Sequence, residues 1–466
     1  MRLLPGAVVT AAIETSVALG RTFGVTSIST AAKAGDQALA IAMLLVVGGV
    51  SGGVLFQLLA LTREPALLFG GILGAMLGGL ALIAERQLLR LPSGSIVPGL
   101  WVFATFLAWG VAFGWVHDRM KLSTAEDAED TEGRRTFLKA LAAATVAASA
   151  IATIAGVVAS RVGQRLAGRR WSDDHPLPNA GADVVPLDGT RVEFTPLESF
   201  YRIDTDTRAP ALDASRWRLA VGGLVDRPLS FTLEQLRAIE PTDVFATLCC
   251  ISNPPGGDLI STTRWTGVSL RRLLPQLGLQ PSATHLKVAS ADGFFESIAL
   301  DTVRADERVL LVYAWDGVPL PVEHGYPLRL FVPNVYGMKQ PKWILSLDAT
   351  GRWEPGYWVT RGWSRDGRVS TTSAIDVATI SRRDAVTIEV GGMAFGGARG
   401  ISSVDVRVDE GEWHAAKLRR PLSDLTWVIW RAEVPVGAGP HRVTVRAFDG
   451  AADPQQTSFH SRRVTA

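Results

Sequence analysis

The sequence predicts a multi-domain chain: an N-terminal α-helical transmembrane bundle, an α+β domain, and a C-terminal immunoglobulin-like β-sandwich. Three observations predict it. Charged residues make up about 14% of residues 1–165 and about 23% of the rest. The mean hydropathy of +0.19 therefore averages a membrane-like part and an ordinary globular one. Uncharged stretches long enough to cross a bilayer are confined to the first part. In the second, strands mixed with short helices give way over the last hundred residues to strands and turns alone.

Four stretches fit membrane spans: 38–60, 66–84, 96–116 and 140–160. A fifth candidate, 3–19, is interrupted by Glu14. Gly70, Gly74 and Gly78 recur every four residues on one face, a spacing that lets a second helix approach closely. Only His117 lies near a span, which counts against a haem-carrying anchor, and no charge sits mid-span to form an ion path. The run 133–139, Gly133-Arg134-Arg135-Thr136-Phe137-Leu138-Lys139, resembles a twin-arginine export signal in an internal position. An ordinary positive-inside flank is the other reading. Both put Arg134 and Arg135 in the cytoplasm and everything after residue 160 outside it. The expected location is a multi-pass cell-membrane protein with an extracytoplasmic soluble part.

Formal charge nearly balances, with 47 Lys+Arg against 45 Asp+Glu, and no basic run interleaved with aromatics points to nucleic acid. Two adjacent cysteines, Cys249 and Cys250, exclude a multi-disulfide scaffold and a cysteine-ligated zinc or iron–sulfur site. The expected division is a membrane region 1–165, a linker 166–195 rich in Arg, Asp, Pro and Gly, a domain 196–370 and a domain 371–466. In the third part, Trp217-Arg218-Leu219-Ala220-Val221 alternates as a strand and meets a Gly222-Gly223 turn. Residues 232–239 read as a short helix capped by Thr232 with Glu234 in its first turn. Further strands are expected at 285–289, 309–314 and 328–332. In the fourth part they are expected at 386–390, 404–408, 427–431 and 442–447, with tryptophans as core.

Chemistry concentrates in Thr247-Leu248-Cys249-Cys250-Ile251-Ser252-Asn253, followed by Trp265-Thr266-Gly267-Val268-Ser269-Leu270. This pair of segments resembles the sulfite oxidase family of molybdopterin enzymes, with its Thr-Leu-x-Cys-x-x-Asn and Trp-x-Gly-x-x-Leu. The resemblance makes Cys250 the metal ligand, because Asn253 falls three residues later. It is therefore also the catalytic residue. A soft thiolate suits a dithiolene-bound metal. The resemblance continues through Ser199-Phe200-Tyr201-Arg202-Ile203-Asp204, Asp292-Gly293-Phe294, His324-Gly325-Tyr326-Pro327-Leu328-Arg329 and Tyr336-Gly337-Met338-Lys339-Gln340-Pro341-Lys342-Trp343. It implies a sulfite-oxidase-type molybdopterin domain with a molybdenum-molybdopterin cofactor. Tyr201, Arg202, Asp204, Asp292, His324, Arg329, Lys339, Gln340 and Lys342 would contact or support that cofactor. His324, Arg329 and Lys342 are phosphate donors by type, Arg329 bidentately and Lys342 as a point charge.

Residues 356–364 resemble the bridge into the family's C-terminal domain, which implies a homodimer formed through residues 371–466. One departure stands out. Where sulfite oxidases carry an arginine after the Asn, this chain has Pro254-Pro255-Gly256-Gly257, which puts sulfite in doubt. Without a haem domain, a separate electron-transfer partner is implied. The expected activity is oxygen-atom transfer to or from a small-molecule substrate of unknown identity. The rival reading is a cofactor-free surface binding or scaffold protein that keeps the fold.

Overall fold

The computed structural model describes residues 66–89, 103–104, 106–112, 114–115, 170–205, 209–381 and 386–465. These fall in two compact units, each taken by itself below. The expected spans 38–60 and 140–160, the candidate 3–19 and the twin-arginine-like run 133–139 lie outside the described residues, as does part of 96–116.

In the first unit, the helix Ala66–Leu89 contains an 18-residue window, Ala66–Ile83, with mean hydropathy 2.2. Among the described residues it is the one helix long and apolar enough to cross a membrane. Its glycine face meets the helical residues 103–104, 106–112 and 114–115. A Cβ at Gly70 would lie 2.2 Å from the Gly110 carbonyl oxygen, and one at Gly74 would lie 2.4 Å from that of Phe106. The contact is reciprocal, since a Cβ at Gly114 would lie 2.3 Å from the Ala66 oxygen. Backbones this close require glycine on both sides. Leu68, Ile72, Met76, Leu80 and Ile83 point outward and are exposed.

The second unit begins with an α+β domain built on two sheets. The first has the order Leu229–Phe231, Leu219–Gly223, Ile344–Thr350, His285–Ser290, Phe295–Ala299. Within it, Leu219–Gly223 runs parallel to Ile344–Thr350, and the other pairs are antiparallel. The second is the antiparallel set Thr242–Cys249, Ile260–Ser269, Leu310–Trp315, Val318–Pro319, with Arg329–Phe331 also on Leu310–Trp315. Alternation decides which face is inside: Leu286 and Val288 turn inward to join Leu219, Val221, Leu311, Leu330 and Leu347 in one core. The helix Leu233–Arg237 starts at Thr232, whose side chain and that of Gln235 each accept the other's backbone N–H. Sequence and structure differ by two residues at one strand. Trp217 and Arg218 precede it and Gly222 and Gly223 belong to it, because Gly223 pairs with Ala349.

Two four-stranded antiparallel sheets follow. One holds Thr372–Ser381, Thr387–Phe395, Val428–Pro435 and Lys417–Leu418; the other holds Trp413–Ala415, Ile401–Val408, Pro440–Asp449 and His460–Thr465. Ile388, Val390 and Trp430 from the first meet Val404, Val443 and Val445 from the second in a shared core, which makes a β-sandwich. Trp427 and Trp430 are core, as expected. Trp413 is only half-buried, because Arg407 and Arg446 lie over its ring.

The stretch 170–195, expected as a linker, is bound to this unit. Trp171 N–H donates to the Asp316 carbonyl at 2.8 Å, and the Ser172 hydroxyl donates to the Asp316 carboxylate at 2.6 Å. Arg419 gathers the carbonyls of Asn179, Ala182 and Val184 together with the Glu193 carboxylate. Composition read as flexible, but its partners lie about 145 to 240 residues away in sequence.

Candidate functional site

The strand Thr242–Cys249 ends where Cys249 pairs with Ile260, and the two cysteines then part company. Cys249 turns into an apolar cluster with Val369, Met393, Phe395, Trp427 and Ile429, which joins the α+β domain to the sandwich. Burial pushes its thiol well above the ordinary value. Its role is packing, which a motif cannot display. Cys250 begins a loop closed by Asn253: the Asn253 side-chain oxygen accepts Leu259 N–H at 2.9 Å, and Cys250 N–H donates to the Leu259 carbonyl at 2.9 Å. Burial raises the Cys250 thiol too, but the Ser252 backbone N–H, the Ser252 hydroxyl and the Ile251 N–H oppose it. Donors aimed at a sulfur favour its anionic, ligating form.

The segment 200–205 runs past this sulfur. Tyr201 N–H donates to the Ser261 hydroxyl at 3.1 Å, and its side chain is buried. Burial raises the Tyr201 phenol well above its usual value, the two thiols add to that, and Arg329 works against it. Tyr201, Cys250 and Arg329 thus share one neighbourhood. The phenol also fixes Gly337, where a Cβ would lie 2.9 Å from the Tyr201 oxygen.

Arg329 is the most unusual charge in the unit. It is 3% exposed, and burial lowers its guanidinium from the ordinary value to about 10. Nη1 donates to the His324 carbonyl at 3.1 Å, the plane lies over Trp265 at 4.9 Å, and buried Nε has no partner. Among the described residues no carboxylate forms an ion pair with it. Buried charges are ordinarily paired. His324 packs edge-on against Phe200 and Trp315 at this same corner.

The other expected residues divide. Lys342 donates to the carbonyls of Ile203 and Glu323 at 3.3 and 3.2 Å and to the Asp204 carboxylate, which also pairs with Arg202 at 2.5 Å. All three ammonium donors are engaged within the protein. Lys339 pairs with buried Glu296 at 3.0 Å. Gln340 donates to the carbonyls of Val332 and Val335, and its Oε1 is buried without a partner. Asp292 accepts from Phe294 N–H and from the Thr205 hydroxyl, at the end of the same 200–205 segment. Sequence reasoning missed Glu296, Trp265 and Ser252. Only Ser252 carried a local signal, two residues after the cysteine.

The residues present fit a large anionic group. A half-buried sulfur with the Ser252 and Ile251 donors beside it and a buried guanidinium with unused donor capacity leave donor capacity that the chain itself does not use.

Residues 206–358 match the oxidoreductase molybdopterin binding domain and residues 368–465 the Mo-co oxidoreductase dimerisation domain. These define the class: a molybdopterin oxidoreductase fold whose cofactor is molybdenum-molybdopterin. Mitochondrial sulfite oxidase from Homo sapiens is 28% identical over 284 residues, covering 51% of this chain and 52% of that protein. The uncharacterized oxidoreductase YuiH of Bacillus subtilis is 30% identical over 155 residues, covering 33% of this chain and 76% of that protein. A putative protein-methionine-sulfoxide reductase subunit, YedZ1, of Azospira oryzae is 29% identical over 187 residues, covering 40% of this chain and 68% of that protein. The chain belongs to the sulfite oxidase family. It spans about half the length of the human and macaque sulfite oxidases.

Proposed function

We propose that this chain is a membrane-anchored, extracytoplasmic molybdopterin-dependent oxidoreductase that moves an oxygen atom to or from a small substrate. The observation that carries the reading is Arg329, a buried guanidinium with no carboxylate ion pair among the described residues, which shares the neighbourhood of the Tyr201 phenol with Cys250. Such a charge persists where an anion supplies what the protein withholds. Cys250 is the single protein ligand to the metal, with Ser252 and Ile251 stabilising its thiolate. Arg329 holds the pterin phosphate, while Tyr201 and the Gly337–Lys339 turn wall the site. When bound, the cofactor supplies two-electron redox chemistry with oxygen-atom transfer. The loop after Asn253 offers Pro254 and Pro255 in place of a cation, which favours an uncharged sulfoxide-type substrate over sulfite. The name of the Azospira relative agrees with this direction.

The Ala66–Leu89 helix, with its glycine face and outward leucines, supports anchoring in a membrane through several spans. The run 133–139 supports export of the folded domain. A separate protein exchanges the electrons, and residues 371–466 pair two chains.

Metal analysis tests the reading. Full-length protein from a molybdopterin-competent host is expected to carry about one molybdenum per chain. Cys250→Ser is expected to lower activity or metal retention at least about tenfold. Molybdenum-free protein that folds normally in that host would favour the scaffold reading. Cys249→Ser is the matched control. It should leave molybdenum in place and cost about 1–3 kcal/mol in thermal unfolding, because a hydroxyl enters an apolar cluster.

A further inference from the structure

Two side chains outside the site as described above grip the loop 253–257. His460 opens the last strand, His460–Thr465, and its Nδ1 accepts Ile375 N–H at 2.9 Å. The other edge of the ring faces Gly256, where a Cβ would lie 2.6 Å from His460 Nε2. Arg191, from the docked 170–195 stretch, pairs with Asp376 at 2.6 Å and donates from Nη1 to the Gly257 carbonyl at 3.5 Å. Ile375 and Asp376 are consecutive residues of one sandwich strand, so both grips share a root.

We propose that His460 is a positioning residue for Cys250, holding the 253–257 loop in place from the C-terminal sandwich. This rests on the reading of Cys250 as metal ligand. Beyond Asn253, whose side chain holds Leu259, the loop is two prolines and two glycines with no side chain to anchor it. Its link to the cysteine is short: Asn253 N–H donates to the Cys250 carbonyl at 3.0 Å, and Gly257 N–H donates to that of Pro254 at 2.8 Å. The sandwich therefore does more than present a surface to a second chain. It completes the cysteine loop of its own chain.

The grip depends on protonation. Accepting from Ile375 requires a bare Nδ1, which leaves the ring proton on Nε2. A second proton would set two donors face to face. The charges facing the ring are Asp376 and Arg191 from neighbouring segments and Arg462 on its own strand. Burial and the two arginines lower the imidazole below its ordinary value against the pull of Asp376. The native ring is thus neutral at pH 7. Its contribution is intact above the ordinary imidazole value and is lost as pH falls through the lowered one.

Hydrogen exchange on the full-length, cofactor-loaded protein tests this at the amides of Asn253 and Gly257. His460→Ala is expected to speed their exchange about fivefold or more while the strand Ile260–Ser269 stays protected. It should also shift the thiolate-to-metal absorption band without loss of molybdenum. Loop exchange within twofold of wild type together with an unmoved band would overturn the proposal. Should His460→Ala not fold, the wild-type protein decides. Exchange of these amides, corrected for intrinsic rate, must rise as pH falls through the lowered imidazole value, and a profile that stays flat down to acid unfolding overturns the grip. The ligand reading fails separately, by a Cys250→Ser protein that keeps the band.

Discussion

Arg329→Met is expected to strip the cofactor from the protein and, at the same time, to stabilise the cofactor-free fold. A guanidinium lowered from its ordinary value to about 10 corresponds to about 3 kcal/mol of strain carried by the charged form. Methionine removes that cost and fills much of the same volume, but gives up the stacking on Trp265 and the hydrogen bond to the His324 carbonyl, each worth about 1 kcal/mol. The net gain is about 1 kcal/mol, read as a higher denaturant midpoint in protein made without molybdopterin. In protein made with it, molybdenum content should collapse. The gain should hold across neutral pH, because Arg329 is charged in both states below about 10. Above that value the folded wild type sheds its proton before the unfolded chain does, so its stability rises with pH and the two proteins converge. Arg329→Lys should lose most of the cofactor as well, since an ammonium lacks the fork that grips a phosphate. If the methionine variant were less stable without cofactor, the guanidinium would have a structural partner and the phosphate role would fall.

How far the sequence reached depends on the range of each interaction. The strand at 285–289 and the Thr232 cap were legible, because both are properties of neighbouring residues. The glycine spacing of Gly70, Gly74 and Gly78 was legible for the same reason, although its partner face was not. The family resemblance distinguished Cys250 from Cys249 by the spacing to Asn253; in the fold, Asn253 closes the loop that Cys250 begins. Other features came only with the fold. Trp265 lies under Arg329, His460 lies over Gly256, and Arg419 reaches back to Asn179. Each joins residues 60 or more apart, and no local pattern encodes such a pairing.

Lys342 shows the same limit at a single residue, and Asp204→Asn tests it. Type and spacing make Lys342 a cation for a phosphate; the fold surrounds it with Ile203, Asp204 and Glu323. Burial pulls its ammonium below the ordinary value, and the Asp204 carboxylate is the largest opposing influence. Removing that charge leaves a buried lysine and Arg202 without their shared partner. Asp204→Asn is therefore expected to destabilise the cofactor-free protein by about 3–5 kcal/mol. The double variant Asp204→Asn with Lys342→Met removes the orphaned charge and should regain about 2 kcal/mol, a coupling visible in a double-mutant cycle of denaturant midpoints. A lysine reserved for a cofactor phosphate predicts the reverse. Lys342→Met alone would then leave the cofactor-free fold untouched and cost only molybdenum. The two outcomes cannot coincide, because in the first the ammonium spends its donors on the Ile203 and Glu323 carbonyls and the Asp204 carboxylate.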